Sequence, residues 1–359
     1  MQRPPEPTEA DLAPVAAELR GALLAWYDVA RRSLPWRAPP GDRSDPWHVL
    51  VSELMLQQTT VATVQARFAP FLARFPTLAV LARAPLDDVL HAWQGLGYYR
   101  RARSLHACAQ TVLERHGGKL PLEAWRLAEL PGIGAYTAAA VAAIAGGRAE
   151  VPVDANVERV LARMLALDRP VETARPWLRR VAASLAAPSR AADFAQAVME
   201  LGALVCTPRR PGCLTCPWRA WCRAAASGEP ERYPPRVERK GRAVRFATAY
   251  ALQRADGAVL FRRRPETGLL AGLIELPTSA WSAEPRSDDR PPGLPPSRDL
   301  TMAPGTVRHL FTHLDLTVTL VRGRTAGGGD GIWTMPARFG ELALPTLTKK
   351  LLRHAGLAG

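Results

Sequence analysis

Residues 127–141 read L-A-E-L-P-G-I-G-A-Y-T-A-A-A-V: an apolar helical turn, a Pro-Gly-x-Gly break, then a run rich in alanine. Proline and glycine interrupt a helix, and alanine is its strongest former. The pattern predicts a helix, a tight turn and a second helix. Gly132 and Gly134 are expected to take turn dihedrals that a side chain would oppose. Amides of such a turn, with the start of the next helix, can face a phosphate oxygen. By itself the segment is equally an ordinary αα-hairpin.

Downstream, V151-P-V-D-A-N-V-E-R-V160 sets Asp154 ahead of an amphipathic run, where an aspartate caps the helix. Upstream stand L34-P-W-R37 and P46-W-H-V-L-V-S-E-L-M-L-Q-Q-T-T60. Glu53 there sits among Leu50, Val51, Leu54 and Met55, either on a wet helix face or inside the fold. Apolar residues recur three and four apart from about 11 to 225, as in Leu12, Val15, Ala16, Leu19 and Leu23. Residues 1–225 therefore form an all-helical domain.

At 226–242 the polar, proline-rich S-G-E-P-E-R-Y-P-P-R-V-E-R-K-G-R reads as a linker. From 243 the period changes to two. V-R-F-A-T-A-Y-A-L and A-V-L-F-R-R-R read as strands, with Asp256-Gly257 as a hairpin signal between them. Leu314, Leu316, Val318 and Leu320 alternate with polar residues, and P-T-L-T-K-K-L-L-R-H-A-G reads as a closing helix. Residues 243–359 thus form a small α/β domain.

The 359 residues carry a net charge of +14. That balance suits a polyanionic partner, nucleic acid ahead of membrane. An arginine-rich coding bias would also produce it, since lysine occurs only at 119, 240, 349 and 350. No run of eighteen apolar residues suggests a membrane span, and M-Q-R-P-P-E-P-T-E-A-D-L-A-P is not a secretory signal. A cytosolic protein is expected. Cys206, Cys213, Cys216 and Cys222 have the spacing C-x6-C-x2-C-x5-C. Four thiolates in one short loop can surround an iron–sulfur cubane or a tetrahedral zinc ion. Cys108 stands apart and reads as a small buried hydrophobe.

Hairpin, aspartate and cysteine quartet, in this order, resemble the endonuclease III (helix–hairpin–helix-GPD) superfamily of DNA glycosylases. LPWR followed by S-E-L-M-L-Q-Q-T resembles its adenine-excising MutY branch. The resemblance implies a six-helix lobe and an Fe–S cluster lobe, followed by a Nudix-like domain. It implies one [4Fe–4S] cluster on the four cysteines. It makes Glu53 the acid that protonates adenine and Asp154 the anion beside the sugar, with Asn156 near the same centre. Tyr136 stands where bifunctional relatives carry a Schiff-base lysine, which implies a monofunctional, water-using enzyme.

Other positions follow individually from the resemblance. Gly132 and Gly134 hold the DNA backbone, and Gln58 and Tyr98 wedge into the base stack. Trp36, Arg37, Leu56, Val61 and Gln196 wall the adenine pocket. Thr59, Leu96, Phe311, Thr312 and His313 meet the oxidised guanine. Ala195 and Thr312 depart from the family's asparagine and serine. T267-G-L-L-A-G-L-I-E-L-P277 resembles the Nudix-like opening, but W-S-A-E-P-R-S-D-D-R-P-P-G-L-P-P-S-R-D-L follows as a proline-rich loop instead of a carboxylate helix. The expected substrate is duplex DNA holding adenine opposite 8-oxoguanine, acted on by a monomer in the bacterial cytoplasm, at the nucleoid.

Overall fold

The computed structural model describes residues 12–39, 42–235, 241–286 and 290–357. They divide into two compact units, one from Met1–Arg83 and Ser104–Glu238, the other from Ala84–Arg103 and Arg239–Gly359. The helical stretch inferred from the sequence therefore lends residues 84–103 to the second unit. Of the segment read as a linker, 236–240 lie outside the described residues, as does the N-terminal stretch 1–11.

Helices follow in chain order: α1 Ala16–Ala30, α2 Pro46–Leu56, α3 Val61–Arg74, α4 Leu78–Arg83, α5 Leu86–Ala92 and α6 Arg100–His116. Then come α7 Ala124–Leu127, α8 Ala135–Ile144, α9 Ala155–Met164, α10 Val171–Ser184, α11 Ala191–Glu200 and α12 Arg223–Ala226. Two starts show why they begin where they do. Asp45 caps α2, accepting from the Trp47 and His48 amides, with Pro46 at the first helical position. Asp154 caps α9, as its place before an amphipathic run predicts.

In the first unit α8 is buried along nearly its whole length. Its alanines leave room for α2 and α11 to pack against it. A core of Leu19, Leu23, Tyr27, Leu161, Leu178 and Phe194 joins α1 to α9, α10 and α11. Trp218, from the cysteine loop, is buried in the same core and donates its indole N–H to the Leu19 carbonyl at 2.9 Å. Cys108 is fully buried, as the helical period implies.

The second unit holds strands β1 Ala243–Gln253, β2 Val259–Arg263, β3 Ile274–Glu275, β4 Ser297–Leu310, β5 Leu314–Thr325 and β6 Ile332–Thr334, with α13 Thr346–His354. The sheet order is β3-β2-β1-β5-β4, with β6 on β2 and β1 parallel to β5. Gly257 turns the β1–β2 hairpin at φ +91°, where glycine carries no steric penalty. Leu316, Val318 and Leu320 bury one face of β5. The proline-rich segment is shorter than the sequence reading made it. Residues 297–300 already belong to β4, paired with β5 from Ser297 to Thr325. Cross-strand pairing overrides the loop character of the prolines before it.

Candidate active site and cysteine loop

One cavity of about 510 Å³ opens in the first unit. It is lined from α2 by Glu53 and Leu56, from α8 by Tyr136, from the α9 cap by Asp154 and Asn156, and from α11 by Gln196 and Glu200. Trp36, Arg37, Gln58, Thr59 and Val61 complete the sequence-predicted part of its wall. Segments far apart in the chain therefore bring twelve side chains of interest to one place.

Glu53 is not on a wet face. It is 4% exposed, within a helix buried from Val49 to Met55. Burial pushes its carboxyl up to about 7, and the nearby Asp154 charge adds to the rise. The Tyr136 hydroxyl donates to Glu53 Oε2 at 2.7 Å, and this bond and Arg37 hold the shift back. Burial likewise raises the Tyr136 phenol well above its ordinary value.

Asp154 combines a structural and a site position. Its Oδ1 accepts from the Asn156 and Val157 amides at 2.9 and 2.8 Å, and its Oδ2 from Asn156 Nδ2 at 3.0 Å. The half-buried carboxylate is thereby fixed at the cavity wall.

Three features of the site escaped the sequence reading. Glu200 is fully buried and binds Arg32 Nε at 2.9 Å and Arg37 Nη1 at 2.6 Å. Its spacing of four from Gln196 on one helix put both on the same face, which was the available signal. Arg159 donates to Asn156 Oδ1, Gly202 O and Cys206 O at 2.9, 2.7 and 2.8 Å. Hydrogen bonds thus run from Asp154 through Asn156 and Arg159 to the first cysteine. Gly202 allows this approach, since a Cβ there would lie 2.8 Å from Asn156 Cβ.

Cys206, Cys213, Cys216 and Cys222 line one small cavity with Val160, Met164, Leu201 and Trp218. Buried Arg163 reaches Cys206 Sγ at 3.4 Å and the Thr207 carbonyl at 2.6 Å. Among the described residues no three His, Cys, Asp or Glu side chains converge to hold a single metal ion. Burial pushes the Cys216 thiol up to about 11.

At the hairpin, Gly132 has φ +74°, and a Cβ would strike Ser104 Cβ at 2.2 Å. Gly134 corrects the expectation. It is extended at φ −87° as the cap of α8, with open space where a Cβ would lie. Capping requires an extended residue, which does not call for glycine.

The two expected wedge residues both sit in left-handed backbone, Gln58 at φ +56° and Tyr98 at φ +45°. Such non-glycine strain costs about 1–3 kcal/mol and collects at functional positions. Within the second unit, exposed Tyr98 meets Thr312, hydroxyl to hydroxyl, at 2.6 Å. Thr312 and His313 are exposed on the β4–β5 turn, while Phe311 packs at 4.6 Å from His309 and 5.8 Å from Trp281. Leu96 is buried at 4% exposure, so its side chain is part of the core.

Residues 51–181 match the family described as HhH-GPD superfamily base excision DNA repair protein, and residues 248–354 match the NUDIX domain. Human adenine DNA glycosylase is 36% identical over 410 residues, covering 96% of this chain and 74% of that protein. Adenine DNA glycosylase of Mycolicibacterium smegmatis is 46% identical over 211 residues, covering 58% and 70%. A solved thermostable thymine-DNA glycosylase superposes with TM-score 0.53 at 26% identity, over 59% of this chain and 99% of that one. Endonuclease III in a trapped covalent DNA intermediate does so with TM-score 0.50 at 20% identity, a likeness of fold alone, over 60% and 98%. Helical fold and family matches together define a DNA glycosylase of base excision repair, a hydrolase. Within that class the chain belongs to the adenine DNA glycosylase family.

Proposed function

We propose that the protein removes adenine mispaired with 8-oxoguanine, or with guanine, from double-stranded DNA, acting as a monofunctional glycosylase. The observation that carries this reading is Glu53, a buried carboxyl raised to about 7 in the cavity that Asp154 also lines. A buried carboxyl able to carry a proton, beside a second carboxyl on the same cavity wall, suits a glycosidic cleavage. Protonated Glu53 gives its proton to adenine N7. The C1′–N9 bond then breaks, its electron pair leaving with neutral adenine. Asp154 faces the resulting oxocarbenium as an anion. Water adds at C1′ and returns a proton to Glu53, which closes the cycle.

Tyr136 orients Glu53 and leaves no amine at its position, in keeping with water as the acceptor. Asn156 steadies Asp154. Trp36, Arg37, Leu56, Val61 and Gln196 wall the base, Gln58 and Tyr98 replace it in the stack, and Gly132 and Gly134 approach the backbone. Thr59, Phe311, Thr312 and His313 read the partner base, while buried Leu96 supports that region from the core. The Tyr98–Thr312 contact supports a role shared between wedge and reader, with the threonine hydroxyl in the serine's place.

The four cysteines line one shared cavity, and their C-x6-C-x2-C-x5-C spacing supports a [4Fe–4S] cluster there. Held by Cys206, Cys213, Cys216 and Cys222, such a cluster would cross-link residues 206–222 beside α9. Among the described residues no helix is long and apolar enough to cross a membrane. We take the enzyme to act as a monomer on the DNA of the bacterial nucleoid.

A duplex with one 8-oxoguanine·A pair tests the reading. A strand break at the adenine only after alkali is expected. No alkali-labile site excludes the adenine substrate, and a break without alkali excludes the monofunctional mechanism. A brown, blue-absorbing preparation separates iron–sulfur from zinc.

A further inference from the structure

A second cavity of about 440 Å³ lies in the first unit, between the end of α6, the turn after it, α7 and the turn after α8. Arg115, Lys119, Arg126 and Arg148 line it, against one carboxylate, Glu123. With His116 neutral, the cavity holds three more positive than negative charges. Glu123 is already engaged, accepting from Arg148 Nη2 at 2.8 Å and lying 3.7 Å from Arg126 Nη1. Arg126 also meets His116 Nδ1 at 3.4 Å. The side chains of Arg115 and Lys119 have no hydrogen-bond or ion-pair partner among the described residues.

Helix electrostatics explain part of this cluster. Arg115 and His116 close α6, where cations offset the negative helix end. Arg126 likewise closes the short α7, but Lys119 and Arg148 lie in turns outside any helix. Lys119 is the only lysine before residue 240. Gly117 and Gly118, at φ +59° and +79°, turn the chain sharply enough to return it to the cavity.

We propose that this cavity is an oxyanion site that takes a phosphodiester of the DNA backbone, separate from the adenine-site cavity. Unpaired cations around an open cavity gain most from a ligand that carries fixed negative charge. No Phe, Tyr or Trp lines the cavity, and its lining of four cations suits a phosphate better than a stacked base. The contact is therefore with backbone, and it contributes to sequence-independent affinity rather than to excision. Arg115 to Arg126 lie just before the Gly132 hairpin in the chain and Arg148 just after its second helix, so two phosphate contacts would come from neighbouring segments.

The test compares the full-length protein with the double variant Arg115→Ala/Lys119→Ala and with Glu123→Gln. Binding to a fluorescent lesion-free duplex is measured by anisotropy across a salt series. The double variant should lose about tenfold in affinity at low salt, and its log K against log salt slope should fall by about one to two. Glu123→Gln should bind tighter than the parent. The single-turnover excision rate at saturating protein should be unchanged in the double variant. Parental affinity and slope in the double variant would overturn the proposal. So would a calorimetric titration in which inorganic phosphate binding is lost while duplex binding is kept, since the site would then serve a small free anion.

Discussion

Removing the hydroxyl of Tyr136 separates the proton-donor role of Glu53 from a merely structural one. In the parent protein Glu53 titrates near 7 and must be protonated to act. The single-turnover excision rate should then be flat on the acid side and fall about tenfold for each pH unit above about 7. Tyr136→Phe deletes the 2.7 Å bond that stabilises the charged form. A hydrogen bond to a charged group is worth about 1.5–3 kcal/mol, and one pKa unit is about 1.36 kcal/mol. The alkaline limb should therefore move up by about one to two units. At pH 8 about one-tenth of the parent Glu53 is protonated, whereas half or more would be in the variant. The variant's plateau should drop, because a weaker acid is a poorer donor. The assay is alkali-revealed cleavage of an 8-oxoguanine·A duplex under single-turnover conditions across the pH range. A Tyr136→Phe limb that coincides with the parent's, or a parent rate still rising at pH 8, would refute the reasoning.

Glu53→Gln should abolish excision and yet stabilise the protein at alkaline pH. The folded-state value of about 7 lies above the ordinary 4.5. The carboxyl's favourable contribution is thus complete below about 4.5 and lost as pH rises through about 7. The shift corresponds to about 3 kcal/mol, so melting curves should favour the variant at pH 8 and converge with the parent below pH ~4.5. Equal melting temperatures at pH 8 would show that Glu53 is better solvated than its burial implies. Gly202→Ala sets a Cβ 2.8 Å from Asn156 Cβ, and should cost about 1–3 kcal/mol in denaturant melts while slowing excision through the displaced Asp154 partner. Arg159→Leu strips a donor from Asn156, Gly202 and Cys206 at about 1 kcal/mol or more each. It should lower both the excision rate and the visible absorbance per protein; loss of neither would disconnect the cysteine loop from Asp154.

Much of this protein is written in short-range chain chemistry. The helical period of the first unit, the Asp154 cap, the Gly132 turn, the Asp256-Gly257 hairpin and the four-cysteine loop each depend on residues a few positions apart. Local sterics and hydrogen bonding act over that distance, so these features were legible in the sequence. Gly134 was misjudged because cap and turn demand different dihedrals, which the pattern G-x-G does not distinguish.

The tertiary structure decided what each site residue is surrounded by. Glu53 could be wet or dry as far as its own helix is concerned; packing α2 against α8 excluded water from it and raised its carboxyl. The Tyr136–Glu53 bond spans 83 positions, Arg32–Glu200 spans 168 and Tyr98–Thr312 spans 214. No local rule reaches across such separations. Contact, and with it dielectric surroundings and proton affinity, exists only once the chain has closed on itself.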